Sequence, residues 1–207
     1  MNYFDDEAAT WDDEPAHVER TNAIAEAIAA RVPLSPEWDV LEYGGGTGAL
    51  ARLLADRVRT VLLVDSSMGM IAEARRRLEG EEIAVDPVLL DFETDPLPRR
   101  RFDAVVASMV LHHIDDVGAM LVRFAELLDD DGYLVAADLA RDPDGEYHGP
   151  GFTGHHGIGE DEIAALLADA GLRVESIETV FHVVRRDAAG AERRFPIWLA
   201  VARAGSA

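Results

Sequence analysis

The chain has 207 residues, 48% of them hydrophobic, enough for one full core, and no apolar run nears the ~20 residues of a membrane span. Its formal net charge is -21 and all 19 basic residues are arginine, a balance that repels nucleic acid and anionic membranes, which are bound through clustered positive charge. Cysteine is absent, which excludes disulfides, thiolate metal sites and a cysteine nucleophile.

The N-terminus, Met1-Asn2-Tyr3-Phe4-Asp5-Asp6, lacks the basic-then-apolar order of a secretory signal. The expectation is a cytoplasmic protein forming one domain over 1–207, with 1–36 as an N-terminal lid segment and helix and 37–207 as the core. Two readings of the lysine-free acidic surface stay open: arginine-biased codon use, and adaptation to high salt, where carboxylates keep a protein soluble.

A polar lead carrying Tyr3, Phe4 and Trp11 opens the chain. Residues 16–31 then place Val18, Ile24 and Ile28 at helical spacing, and Pro33 and Pro36 close that helix. Short apolar strands are expected at 39–43, 60–65, 85–90, 102–108 and 132–138, with helices at 49–57, 70–78 and 117–128 between them. That alternation implies a parallel sheet covered on both faces and wound with right-handed crossovers. Residues 142–159 form a long irregular loop rich in glycine and histidine.

The end of the chain breaks the rhythm. A helix at 160–170, stopped by Gly171, leads to a strand at 173–185; Asp187-Ala188-Ala189-Gly190 then turns the chain into a last strand at 193–203, antiparallel to its predecessor. The expected fold class is therefore α/β: a Rossmann-like, doubly wound sheet of seven strands, mostly parallel, with a C-terminal antiparallel strand.

Val40-Leu41-Glu42-Tyr43-Gly44-Gly45-Gly46-Thr47-Gly48 joins the first strand to its helix, and Asp65 ends the second strand. Glycines permit positive φ and close backbone approach, and an acidic residue ending the second strand suits the hydroxyls of a ribose. Gly44-x-Gly46-x-x-Ala49 would also pass as a dinucleotide fingerprint. Glu42 argues against that, because a carboxylate there repels a pyrophosphate and welcomes an ammonium group. Asp91-Phe92 ends the third strand with a carboxylate and an aromatic suited to an adenine.

These residues resemble the class I S-adenosylmethionine-dependent methyltransferases, in the small-molecule branch (methyltransferase type 11/25-like), over residues 39–203. Glu42-x-Gly44-x-Gly46-x-Gly48, Asp65-Ser66-Ser67-Met68-Gly69-Met70, Asp91-Phe92, and Phe102-Asp103 through Leu111-His112-His113-Ile114 match successive family motifs. Asp131-Gly132 departs where the family often pairs glycines. The resemblance implies S-adenosylmethionine as cofactor, held by Glu42, Gly44, Gly45, Gly46, Gly48, Asp65, Ser66, Met70, Asp91, Phe92 and Ser108. It also implies methyl transfer by in-line displacement, with a non-catalytic S-adenosylmethionine-binding regulator as the alternative.

Alignment of acceptor and methyl donor and exclusion of water do most of the work in such a reaction. A hydroxyl or ammonium acceptor must also lose a proton, and His112 or His113 is placed for that, the other reading being that both only cap or bond backbone. Tyr3, Phe4 and Trp11 are expected in a lid. His148, His155 and His156 either line the pocket or join Asp138 around a metal; their spacing matches no zinc signature, so no metal is expected.

Absences narrow the acceptor. Ser108-Met109 stands where amino-methylating nucleic-acid enzymes carry an Asn/Asp-Pro-Pro-aromatic motif. There is no cysteine for covalent cytosine methylation and no lysine for a ribose-methylating tetrad, and asparagine occurs only at Asn2 and Asn22. A small-molecule acceptor remains, with no nucleic acid and no membrane as partner.

Overall fold

The computed structural model describes residues 3–149, 151–186 and 190–205. Its strands are β1 (Asp39–Tyr43), β2 (Thr60–Asp65), β3 (Val85–Leu89), β4 (Phe102–Ser108), β5 (Leu128–Leu139), β6 (Leu172–Arg186) and β7 (Glu192–Ala204). Its helices are α1 (Tyr3–Glu7), α2 (Pro15–Arg31), α3 (Ala49–Ala55), α4 (Met68–Leu78), α5 (Val117–Glu126) and α6 (Glu160–Asp169), with 3-10 turns at Trp11–Asp13 and Leu111–His113.

The strands form one seven-stranded sheet of order β3-β2-β1-β4-β5-β7-β6. Strands β1 to β5 pair in parallel, and β7 runs antiparallel to both β5 and β6. The turn at 187–189 expected to reverse the chain lies outside the described residues. The chain leaves β1 toward β2 on one side and returns to β4 on the other, with Tyr43 level with Ala107. The carboxyl ends of β1 and β4 thus flank a switch point, where open α/β sheets leave a crevice.

Alternation along β1 sends Val40 to one face and Leu41 to the other, each into its own hydrophobic cluster. Ile24, Ile28, Leu50, Leu54 and Ile71 of α2, α3 and α4 cover the first face. Met120, Leu121, Phe124, Ile163 and Leu167 of α5 and α6 cover the second. A central strand buried on both sides leaves little room for polar residues, which makes the burial of Glu42 notable. Among the described residues no helix is long and apolar enough to cross a membrane.

Several boundaries differ from expectation. A short N-terminal helix, α1, precedes the 3-10 turn. Helix α4 starts at Met68 because Ser67 caps it, its Oγ accepting from the Met70 amide at 3.1 Å. Strand β5 starts at Leu128 rather than 132: Leu128 already pairs with Phe102, and Asp131 at φ 62° lets the strand kink before Tyr133 pairs with Ala104.

Candidate functional site

A cavity of about 340 Å³ opens at the carboxyl ends of β1 and β4. Its floor is the turn after β1, where the amides of Gly44 and Gly45 both donate to the Val64 carbonyl, at 2.8 and 3.2 Å. Two glycines in that turn are required by packing: a Cβ at Gly44 (φ +67°) would lie 2.4 Å from Val110 Cγ2, and one at Gly45 would lie 2.6 Å from Leu63 Cγ. Gly46 differs. Its nearest neighbour would be Met70 Sδ at 3.8 Å, an ordinary contact, so nothing crowds its backbone where it lines the cavity. Gly48 (φ 81°) starts α3 and does not line the cavity.

Glu42 shares the parity of Val40 and projects beneath α3 into the cavity wall, 2% exposed. Burial, with the neighbouring Asp65 charge adding to it, pushes its carboxyl up to about 8, against a hydrogen bond from the Ala51 amide. Its Oε2 has no hydrogen-bond partner. A buried carboxylate oxygen left unpaired is costly, and the cavity is the direction from which a partner can come.

Asp65 ends β2 at the same cavity, its Oδ2 accepting from Gly46 N and its Oδ1 from Ser67 N, both at 2.8 Å. Burial raises its carboxyl, and those two amides oppose the rise. Ser66 and Met70 line the wall beside it, and Ser108, Met109 and Val110 form the wall from β4. Met109 adopts φ 55°, a left-handed conformation unusual for a side chain of its size.

The roof comes from the N-terminal segment. Phe4, Trp11, Asp12 and Arg20 all line the cavity. Asp12 Oδ2 accepts from Thr47 Oγ1 at 2.8 Å and pairs with Arg77 at 2.6 Å, tying the segment to the glycine turn and to α4. Asp5 Oδ1 accepts from Ser67 Oγ and Gly69 N, and its backbone fits against Gly69 only because that residue has no Cβ. Arg20 is buried, donates to the Tyr147 hydroxyl at 3.3 Å and keeps an unpaired Nε.

The two adjacent histidines are divided. His113 lines the cavity, edge-on to Phe4 with ring centres 5.1 Å apart, and burial together with His112 lowers it to about 4. His112 lies behind it and does not reach the cavity, contrary to the expectation that either could serve as base. The reason is Asp138, fully buried on β5, whose Oδ1 binds His112 Nδ1 at 2.5 Å and whose Oδ2 accepts from the Leu111 amide at 2.8 Å. Burial would raise Asp138, but His112 and the Leu139 and His112 amides hold it low.

Other expected site residues sit elsewhere. Phe92 is fully buried against Tyr43 (ring centres 4.9 Å apart) and Phe124, filling the α5 face rather than the cavity. Asp91 closes its own turn, accepting from the Glu93 amide and Thr94 hydroxyl, and Glu93 reaches the cavity instead. Tyr3 is 66% exposed and lines a second cavity of about 560 Å³, shared at Trp11 and Arg20 with the first. His155 donates Nε2–H to the Ile114 carbonyl at 2.9 Å, and the His156 ring packs on Gly145; neither lines either cavity. Phe4 had been expected in the lid, but Asp12, Arg20 and Glu93 had no local signal and come to the cavity only through folding.

Fold and cavity together define a Rossmann-like α/β protein with an acidic, glycine-floored crevice at its switch point. A family model described as a methyltransferase domain matches residues 16–177. An uncharacterized methyltransferase of Geobacillus sp. (strain WCH70) is 34% identical over 103 residues, 49% of this chain and 47% of that protein. The ubiquinone biosynthesis O-methyltransferase of Bradyrhizobium diazoefficiens is 36% identical over 102 residues, 49% of this chain and 40% of that protein. The chain thus spans less than half the length of these relatives. Among solved structures, a chain in complex with the Trm112 methyltransferase activator of Haloferax volcanii superposes with a TM-score of 0.81 at 21% identity, covering 99% of both chains. This chain belongs to the methyltransferase domain family that the matching family model describes.

Proposed function

We propose that the chain transfers a methyl group from S-adenosylmethionine to a small-molecule acceptor. The observation that carries the reading is the buried, unpartnered Oε2 of Glu42 in the same cavity as the uncrowded backbone of Gly46. A cationic amino group answers that oxygen, and a ligand with close backbone contact answers that glycine.

The residues present fit the cofactor. Glu42 would hold its ammonium group, and Arg20, with an unpaired buried Nε, its carboxylate. Asp65 keeps lone pairs beyond the two it gives to Gly46 and Ser67, which suits ribose hydroxyls, and Met70 and Ser66 would flank the sugar and base. When bound, S-adenosylmethionine supplies a methyl group already activated on a sulfonium.

The chain's own contribution is placement. Phe4 and Trp11 close the roof and exclude water, and Asp12 keeps that roof attached to Thr47 and Arg77. His113, neutral at physiological pH, accepts a hydrogen bond from the acceptor's O–H or N–H. Asp138 and His112 stand behind His113 and fix the turn that carries it. The aromatic roof and the adjoining second cavity supply room for a small acceptor.

Calorimetric titration of the purified chain with S-adenosylmethionine tests the binding half; one saturable site is expected, and none would overturn the reading. Formation of S-adenosylhomocysteine across a metabolite panel tests the transfer half. Binding without turnover on any acceptor favours the regulatory alternative.

A further inference from the structure

His112, His113 and His148 are the one group among the described residues whose side chains offer three metal-ligating atoms close together, all within 4.8 Å of one another. They come from two distant segments, the turn after β4 and the glycine-rich loop at 142–159, so their proximity is a product of folding. Ring centres lie 4.1 Å apart for His112 and His113 and 4.9 Å apart for His112 and His148.

Each ring is prepared differently. Asp138 engages His112 at Nδ1, which leaves Nε2 for another partner; a carboxylate–histidine pair of this kind orients metal-binding imidazoles. His148 has a buried Nδ1 with no hydrogen-bond partner, and Phe152 stacks on its ring at 3.7 Å, nearly parallel. The loop that presents it is pinned on both sides of Tyr147. Asp142 accepts from the Tyr147 amide at 2.8 Å, Arg185 donates to the Tyr147 carbonyl and lies over its ring, and Arg20 reaches its hydroxyl. His113 faces the cavity.

We infer that His112, His113 and His148 form a site for one divalent transition-metal ion of the zinc class, with His113 the ligand that faces the cavity and the fourth position on that side. Three imidazoles and a vacant fourth position are the donor set of catalytic rather than structural zinc. Bonds of about 2.1 Å in a tetrahedral arrangement place ligand nitrogens about 3.4 Å apart, so from separations within 4.8 Å the rings need draw in by at most about 1.4 Å. The sequence spacing hides this site, because local zinc signatures require ligands on neighbouring turns.

The role of the ion rests on the methyl-transfer reading, whereas its binding does not. With the ion bound, the remaining His113 nitrogen carries a hydrogen and no longer accepts from the acceptor; instead an acceptor hydroxyl or thiol taking the open position is acidified and releases its proton to solvent at neutral pH.

The test uses the untagged full chain, stripped with a chelator and dialysed. Titration with Zn²⁺, and with Co²⁺ followed by visible absorption, is expected to show one ion per chain and the intense bands of a four-coordinate cobalt site. His148→Ala and His113→Ala should each weaken Zn²⁺ binding at least tenfold, Asp138→Asn by roughly 10–100-fold. His182→Ala on exposed β6 should leave it unchanged. Circular dichroism and S-adenosylmethionine titration of each variant report folding separately. No saturable uptake by the wild type, or uptake that survives both alanine variants, overturns the site. Zinc binding without S-adenosylmethionine binding would instead sink the methyl-transfer reading and leave the metal site standing.

Discussion

Replacing Glu42 with glutamine keeps shape and removes a charge, so it isolates what burial of that carboxyl costs. Its carboxyl is raised from 4.5 to about 8 in the folded chain. Between those values the folded state holds a proton that the unfolded state has released, so stability falls as pH rises from 4.5 through 8. One unit corresponds to about 1.4 kcal/mol, so at pH 7 ionisation of the unfolded chain is worth about 3 kcal/mol against folding. Glu42→Gln removes this dependence. Urea unfolding of both proteins at intervals from pH 5 to pH 9 should show a difference of only about 1 kcal/mol at pH 5. The variant should gain about 3 kcal/mol by pH 7, and the difference should level off above pH 8. S-adenosylmethionine affinity should move oppositely: in the wild type it rises with pH toward 8 as the carboxylate forms, and in the variant it is weaker and flat. A stability difference that does not vary with pH would refute the reasoning, because Glu42 would then be ionised, and compensated, in the empty cavity.

Gly44→Ala should destabilise by about 1–3 kcal/mol, read as a lowered urea midpoint, because its Cβ meets Val110 at 2.4 Å on a left-handed backbone. Gly80→Ala, also at positive φ but with nothing within 4 Å, should cost less. Phe92→Ala should cost about 3–5 kcal/mol of stability while S-adenosylmethionine affinity of the folded fraction is unchanged; a tenfold loss of affinity with stability intact would return Phe92 to the cofactor. Asp12→Ala frees Thr47 and Arg77 from the roof, so the dissociation rate of S-adenosylmethionine in stopped-flow should rise about 5-fold, the equivalent of about 1 kcal/mol.

Local chemistry is what made much of this molecule readable before folding. Strand runs such as Thr60–Asp65 are apolar enough to be buried on both faces, and the helices between them carry one apolar stripe, so the α/β class and the seven strands followed from periodicity. The glycine turn and the acid at the end of β2 were legible because positive φ and a strand-end carboxylate are properties of single positions. Phe92 misled because an aromatic beside a strand end has the same signature whether it faces a ligand or Phe124. The His112–His113 pair misled in part, since adjacent residues point in different directions and only the position of Asp138 decides which one turns inward.

By itself, then, the order of residues determined the layers of the fold, the glycine-floored crevice and the carboxylates at the ends of its strands, since these depend on neighbours a few positions apart. Tertiary structure alone decided that Asp12 and Arg20 roof that crevice, that Oε2 of Glu42 is left without a partner, and that His148 arrives beside His112 and His113. Those are contacts across long stretches of chain, set by how helices and loops pack on a twisted sheet, and no local pattern encodes them.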